Sequence, residues 1–532
     1  MPVQRRERMP KLPPFALAEA PEQKQAYWPY LLLIFGLASA SLIALHIQLL
    51  TLPFFWDELG QFIPAALDLL RTGALIPHSA VPNVHPPGTE TYLVLWYKLF
   101  GYSIPVTRVA MLVLAGAGLT LTFLLAIELS RDAAGAPAFL PPLFLLVSPL
   151  FYMQSMMAQL DMPAMVLTVL ALLLFVRQNY LGAASASVVL VLVKETGLIA
   201  PAVFALVLLR RHDWKHAAWF AAAPVVLGAW LIFLHNRTGN WLGDPGFAHY
   251  NVVYSLEPVR ALFCLSKRLY YLFLAEFRWI GTLVLLFTAL RKSTFWTPEW
   301  RVTLAVGGAT LVLVSVLGGA ELERYLLPVL PIFYIAVSVG TTMLPRLVGI
   351  TATLAMMAGL VVNLFWNPPY PFPYENNYAM VDFVRLQQAA AQFADRELRG
   401  GPIATAWPFT AALRRPDYGY VEHKLKTVET SDFHARSIDA LHPASFDSLI
   451  TYTRTWEPVR GVTSVPWVQS FLRRFYQWEP AISRQECEAR GLEQVASWEM
   501  GGQVIAIYVR RSKLMGPRGT HRVSSFISST AQ

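Results

Sequence analysis

Charge is scarce in this chain. Only 14% of its 532 residues are Asp, Glu, Lys or Arg, against roughly 25% in soluble domains, and the shortfall excludes an ordinary soluble protein. Cysteine is scarcer still. Cys264 and Cys487 stand alone, which excludes a disulfide framework and a cysteine-built metal site. A glycine-rich phosphate loop, a metal-ligand cluster and a nucleophile elbow are missing from the sequence, so nucleotide-loop, metallohydrolase and serine-hydrolase chemistries have no basis in it. The net charge is +9, yet the basic residues are not gathered on one polar domain, which argues against nucleic acid as a partner.

What is present is apolar. Hydrophobic residues make up 55% of the chain, with 16 Trp suited to interfacial belts. A bilayer crossing needs about 20 apolar residues. Such runs lie near 28–51, 104–128, 138–153, 161–177, 181–194, 196–210, 216–235, 270–291, 300–318, 324–343 and 347–366. They predict a polytopic α-helical membrane protein of about eleven transmembrane helices. The 181–210 pair also reads as one long broken helix. The first residues, MPVQRRERMPK, read as a basic tail before a signal anchor. With that tail inside, Arg131, Arg177, Arg210, Arg211, Lys215, Arg291, Lys292 and Arg346 fall on inner turns, as the positive-inside rule asks. The long outer segments are then 52–103, 236–269 and everything after 366, with interfacial helices expected at 58–71 and 258–268. After the proline-rich NPPYPFPYENN (367–377) the composition turns mixed and polar. Residues 379–399 read as a helix, and 402–407, 448–453 and 503–509 as strands. This predicts an extracytoplasmic α/β domain over 378–510, following a membrane domain over 1–366. Residues 511–532 read as a disordered tail.

Ionisable groups at membrane boundaries are costly and are functional candidates by default. They concentrate on the predicted outer face. Asp57 and Glu58 follow Phe54, Phe55 and Trp56 directly after the first span. Asp57 reads either as a helix N-cap or as a carboxylate in a partly desolvated cleft, able to accept a proton. His85 sits in Asn83-Val84-His85-Pro86-Pro87-Gly88, a rigid turn. Asp161 opens the fourth span ahead of Pro163. Lys194 and Glu195 break two apolar runs, either as a self-paired couple or as the lining of a cavity. Arg324 and Tyr325 open the tenth span. Arg324 reads as a partner of Glu321 or Glu323, or as a phosphate ligand, for which its planar fork is suited.

These pieces in this order resemble a GT-C membrane glycosyltransferase, of the bacterial branch that groups with protein O-mannosyltransferases and the lipid A aminoarabinose transferase. The resemblance covers roughly 28–366. It rests on Asp57-Glu58, His85-Pro86-Pro87, Asp161-Met162-Pro163 and Arg324-Tyr325-Leu326-Leu327-Pro328. The aminoarabinose transferases tend to carry Lys where this chain has His85. The resemblance implies an inner-membrane enzyme with its site facing the periplasm. It implies inverting transfer of a sugar from a polyprenyl-phosphate donor to a hydroxyl acceptor on a protein, lipid or glycan. Asp57 would be the base, Glu58 would position the acceptor and Asp161 would assist. His85, Lys194, Arg324 and Tyr325 would hold the donor phosphate. No cofactor is required, although a divalent ion, Mg or Mn, is compatible with the carboxylates. A transporter or lipid-linked saccharide flippase is the alternative, and should show inverted repeats and midplane polar residues.

Overall fold

The computed structural model describes residues 21–131, 136–289, 293–317, 321–366, 375–454 and 465–514. The basic tail at the start of the chain, the prolines of 367–374 and most of the predicted disordered tail lie outside the described residues. Of that tail, only the helical turn Arg511–Leu514 is described.

In chain order the helices are α1 (Pro21–Leu45), α2 (Ile63–Thr72), α3 (Gly88–Phe100), α4 (Ile104–Leu129), α5 (Leu140–Val147), α6 (Pro149–Gln154), α7 (Asp161–Val176), α8 (Tyr180–Val193), α9 (Ile199–Arg210), α10 (Trp214–Trp219), α11 (Ala222–Thr238), α12 (Pro245–Ala248), α13 (Pro258–Phe273), α14 (Arg278–Ala289), α15 (Pro298–Val316), α16 (Leu330–Thr342), α17 (Arg346–Phe365), α18 (Ala379–Glu397), α19 (Phe409–Arg414), α20 (Ala435–Asp439), α21 (Pro466–Tyr476) and α22 (Arg484–Ala489). Among the described residues, α4, the α10–α11 stretch, α15 and α17 are each long and apolar enough to cross a membrane. Helices α13 and α14 meet that test together but are bent by 87°. Residues 29–45 of α1, together with α7, α8 and α16, are shorter apolar helices. The expected eleven spans are thus not eleven full-length helices. The 138–153 run breaks at Ser148, where Pro149 opens α6. The 181–210 run breaks at Lys194, with a 3-10 turn over Glu195–Leu198 between α8 and α9.

The expected loop 52–103 holds more structure than its composition suggested. A π-helical turn, Glu58–Phe62, runs into α2, and α3 follows the His85 turn. The first expected interfacial helix matches the π turn and α2, and the second lies within α13.

The C-terminal region carries a five-stranded sheet made of β1 (Ile403–Ala406), β2 (Thr427–Thr430), β3 (Ser448–Tyr452), β4 (Leu492–Met500) and β5 (Gln503–Arg510), in the order β2-β1-β3-β5-β4. Strand β1 runs parallel to β2 and β3, and β5 antiparallel to β3 and β4. Helix α18 lies against β4 and β5. This region does not stand clear of the membrane helices. One apolar core runs from Phe54, Phe55 and Leu59 into Phe383, Tyr420 and Tyr452. The Tyr420 hydroxyl donates to the carbonyl of Phe54 at 2.7 Å. Trp407 lies over the π turn so closely that a Cβ at Gly60 would meet its ring at 2.3 Å. Only glycine allows that approach.

Candidate active site

The local sequence sets the site's frame before any charge is considered. Trp56 takes a left-handed backbone, φ 44°, which turns the chain sharply between the aromatic pair and the acids. Asp57 lies at the start of the π turn but makes no side-chain cap, so the capping reading fails. Its carboxylate pairs instead with Arg324, which lies in a 3-10 turn, Glu323–Leu326, just before α16.

Arg324 is a hub. One Nη meets Asp57, Nε lies 3.0 Å from Asp161, and the other Nη lies 3.0 Å from Glu375. Neither Glu321 nor Glu323 takes it. Glu323 pairs with Lys267 at 2.9 Å, and Glu321 lies 3.6 Å from Arg260. The other oxygen of Asp161 accepts from Lys194 at 2.5 Å. The Lys194 ammonium sits 4.2 Å from the centre of the Tyr325 ring. Thus Asp57, Asp161, Lys194, Arg324 and Tyr325, spread over nearly 270 positions of sequence, form one cluster. Its carboxylates differ in access. Side-chain exposure is 17% for Asp57, against 3% for Asp161 and 6% for Glu375, so Asp57 is the most accessible of the three. A cleft lined by Asp161, Lys194, Thr310, Val314, Tyr325 and Pro328 opens beside them.

Lys194 and Glu195 are not self-paired. Glu195 accepts from His85 Nδ1 at 2.7 Å. Burial opposes ionisation of Glu195, but His85 and Lys194 outweigh it and lower its pKa to about 2. His85 therefore does not join the Arg324 cluster directly. It lines a neighbouring cleft with Phe62, Asn83, Pro87, Glu90 and Trp230.

Glu58 requires a correction. It is fully buried and every direction of its carboxylate is used. Arg108 donates to it at 2.6 and 3.1 Å, and the backbone N–H groups of Phe55 and Ala158 at 2.9 and 2.7 Å. A carboxylate so saturated has nothing left for an acceptor. It locks the first loop onto α4 and onto the segment before α7.

Two charged residues escaped the sequence reading. Glu375 lies in the proline-rich stretch 367–377, where the sequence shows only a change of composition. Burial pushes its carboxyl up to about 7, with Asp57 and Asp161 adding to the shift and Arg324 opposing it. Arg268, on α13, is almost fully buried, and its guanidinium lies 5.3 Å from the Tyr325 ring. Nη1 donates to the carbonyl of Leu322. Its Nε and Nη2 find no hydrogen-bond acceptor among the described residues, and no described carboxylate lies within salt-bridge distance. The signal for it was the stripe Arg260, Cys264, Lys267, Arg268 and Tyr271, spaced so that α13's polar face turns inward.

The fold is GT-C-like: apolar helices, a structured first loop carrying acids, and a C-terminal α/β region. ArnT from Cupriavidus metallidurans bound to undecaprenyl phosphate superposes on it with a TM-score of 0.50 at 14% identity, over 92% of this chain and 98% of that one. ArnT from the same organism in the apo state gives 0.50 at 16% identity, over 93% of this chain and all of that one. At such identity the likeness shows the fold. No family model matches the sequence, and no curated protein matches it.

Proposed function

We propose that this chain is an inverting glycosyltransferase. On this reading it takes a sugar from a polyprenyl-phosphate donor and transfers it to a hydroxyl acceptor, at a site facing the periplasm. The observation that carries it is the Arg324 cluster, placed at the ends of membrane helices within a fold shared with a protein solved with undecaprenyl phosphate bound. A flippase would be expected to hold its charges near mid-membrane. Here Asp57, Asp161 and Arg324 sit at helix starts and Lys194 at the break between α8 and α9.

In the proposed reaction the acceptor oxygen attacks the anomeric carbon and its proton passes to Asp57. The bond from that carbon to the phosphate oxygen breaks, and the lipid phosphate leaves with the electron pair. That leaving group needs cationic stabilisation more than acid help. Arg324 is already engaged by Asp57, Asp161 and the Glu375 carboxyl. Arg268 and Lys194, gathered on Tyr325, are better placed to receive a phosphate, because Arg268 has donors to spare. Arg324 then acts as the cation that holds Asp57 and Asp161 in position. It occupies the centre where a divalent ion would otherwise sit between the acids, so we propose a reaction without a metal. His85, tied to Glu195, shapes the neighbouring cleft.

The test is to incubate the purified chain in nanodiscs with a panel of polyprenyl-phosphate sugars and measure free lipid phosphate. Release with one donor and an added acceptor supports the proposal. Movement of intact donor across vesicles, without cleavage, would replace it with the flippase reading.

A further inference from the structure

Helix α21 belongs to the C-terminal α/β region, yet it is built like a helix that lies on a membrane. Trp467, Phe471 and Phe475 recur every four residues and share one face. Only Leu472 is buried, and Trp467 is 72% exposed. Arg473 and Arg474 are exposed near its C-terminal end. Phe471 and Phe475 are half-buried, so the stripe opens toward Trp467, and an aromatic stripe open at one end beside two arginines is the pattern of an in-plane interfacial helix. It is a poor pattern for a surface facing only water.

The position of α21 identifies what covers that stripe. Helix α13 turns through 87° into the apolar α14. If α14 runs into the bilayer, α13 lies close to the membrane plane. Its inward face carries Arg260, Cys264, Arg268 and Tyr271, all buried. Its outward face is Leu262, Phe263, Leu269 and Tyr270, all exposed. A helix that is basic inside and apolar outside meets lipid on its outer face. Helix α21 is seated on the edge of that lipid-facing surface: the Phe263 ring lies 6.2 Å from Phe471 and 6.1 Å from Tyr476.

We propose that α21 is a membrane-surface anchor. Its aromatic stripe sits at the boundary of headgroups and acyl chains, on the side where the C-terminal region lies, and Arg473 and Arg474 bind the phosphates of anionic phospholipids. The α/β region is then held at two places, by the first loop and by the lipid itself. This goes beyond the transferase reading and stands or falls separately from it.

The experiment uses the full chain in nanodiscs of phosphatidylcholine with or without phosphatidylglycerol. Trp467→Cys carries a nitroxide, and Arg436→Cys, whose side chain is exposed elsewhere in the same region, is the aqueous control. Both native cysteines are buried. Collisions with oxygen, which partitions into lipid, are compared with collisions with a water-soluble nickel chelate. The expected result is a nickel accessibility at 467 several-fold below that at 436, with oxygen accessibility higher. The double variant Arg473→Gln and Arg474→Gln should remove the extra immersion that phosphatidylglycerol produces. Equal nickel accessibility at 467 and 436 overturns the anchor. Protection at 467 from both reagents, with spin–spin broadening, overturns it in favour of a second copy of the chain. Immersion unchanged by the arginine variant overturns the role given to the headgroup phosphates.

Discussion

Asp57 and Glu58 are adjacent in sequence and opposite in environment. Asp57 is partly exposed with Arg324 as its partner, while Glu58 is sealed against Arg108. The same substitution should therefore fail in two ways. Asp57→Asn keeps the shape and removes the basicity, so the chain should fold, still bind donor, and lose at least roughly a hundredfold in turnover. Native turnover in that variant would move the base to Asp161. Glu58→Gln leaves a buried guanidinium without its counter-charge, which costs about 3–5 kcal/mol. The expected sign is a large drop in Tm, partly recovered by Arg108→Met in the same chain. Arg268 and Arg324 form a second contrast. Arg324→Ala strands Asp57 and Asp161 and should destabilise the fold. Arg268 carries a burial cost with few partners, so Arg268→Met should hold or raise Tm while raising the apparent donor KM. A fall in Tm with an unchanged KM would make Arg268 a structural residue.

At the scale of elements, the acids and cations that begin helices were legible. Asp161 before Pro163 and Arg324 before Pro328 stand at the edges of apolar runs, where charge is conspicuous. Strand β4 and helix α3 were not. Strand β4 alternates weakly, and the Gly501-Gly502 turn that joins it to β5, both glycines at positive φ, was the signal for a hairpin. Helix α3 was hidden because two prolines before it read as loop. Glu375 was hidden for the same reason. Its task is set by packing between segments distant in sequence, which no local pattern reports. Its raised pKa has a measurable consequence. The folded chain holds that proton up to about 7, whereas the unfolded chain releases it near the ordinary 4.5. Stability from this group is therefore present below the lower value and is lost as pH rises through the window, by an amount on the order of 3 kcal/mol. Glu375→Gln mimics the protonated form. Its Tm relative to the native chain should rise as pH goes from 4.5 to 7. A difference that stays flat across that window would mean Glu375 is ionised throughout.

For the whole molecule, the sequence suggested a membrane domain followed by a separate α/β domain, and the packing joins the two. Tyr420 holds the Phe54 carbonyl, Trp56 meets Trp407 and Tyr452 edge-on, and Glu375 reaches into the Arg324 cluster. All of these contacts bear on the loop that aims Asp57. The residues proposed to take the phosphate, Lys194, Arg268 and Tyr325, belong to the membrane helices and their turns and make none of these contacts, although α21 also rests on α13 at Phe263. Removing everything after residue 378 should therefore separate two properties. Binding of undecaprenyl phosphate should survive within about tenfold, since its ligands remain. Turnover should fall by a hundredfold or more, because a small misplacement of a catalytic group is enough to cost about that much. Gly60→Ala tests the same coupling without a truncation. Its Cβ collides with the Trp407 ring, so the loop and the α/β region must part or shift. Turnover should drop while lipid-phosphate affinity stays near native. If the truncated chain turns over at the native rate, the first loop holds its shape alone and the α/β region serves another purpose. If it folds but no longer binds the lipid phosphate, the phosphate ligands lie in the C-terminal region and not on Tyr325.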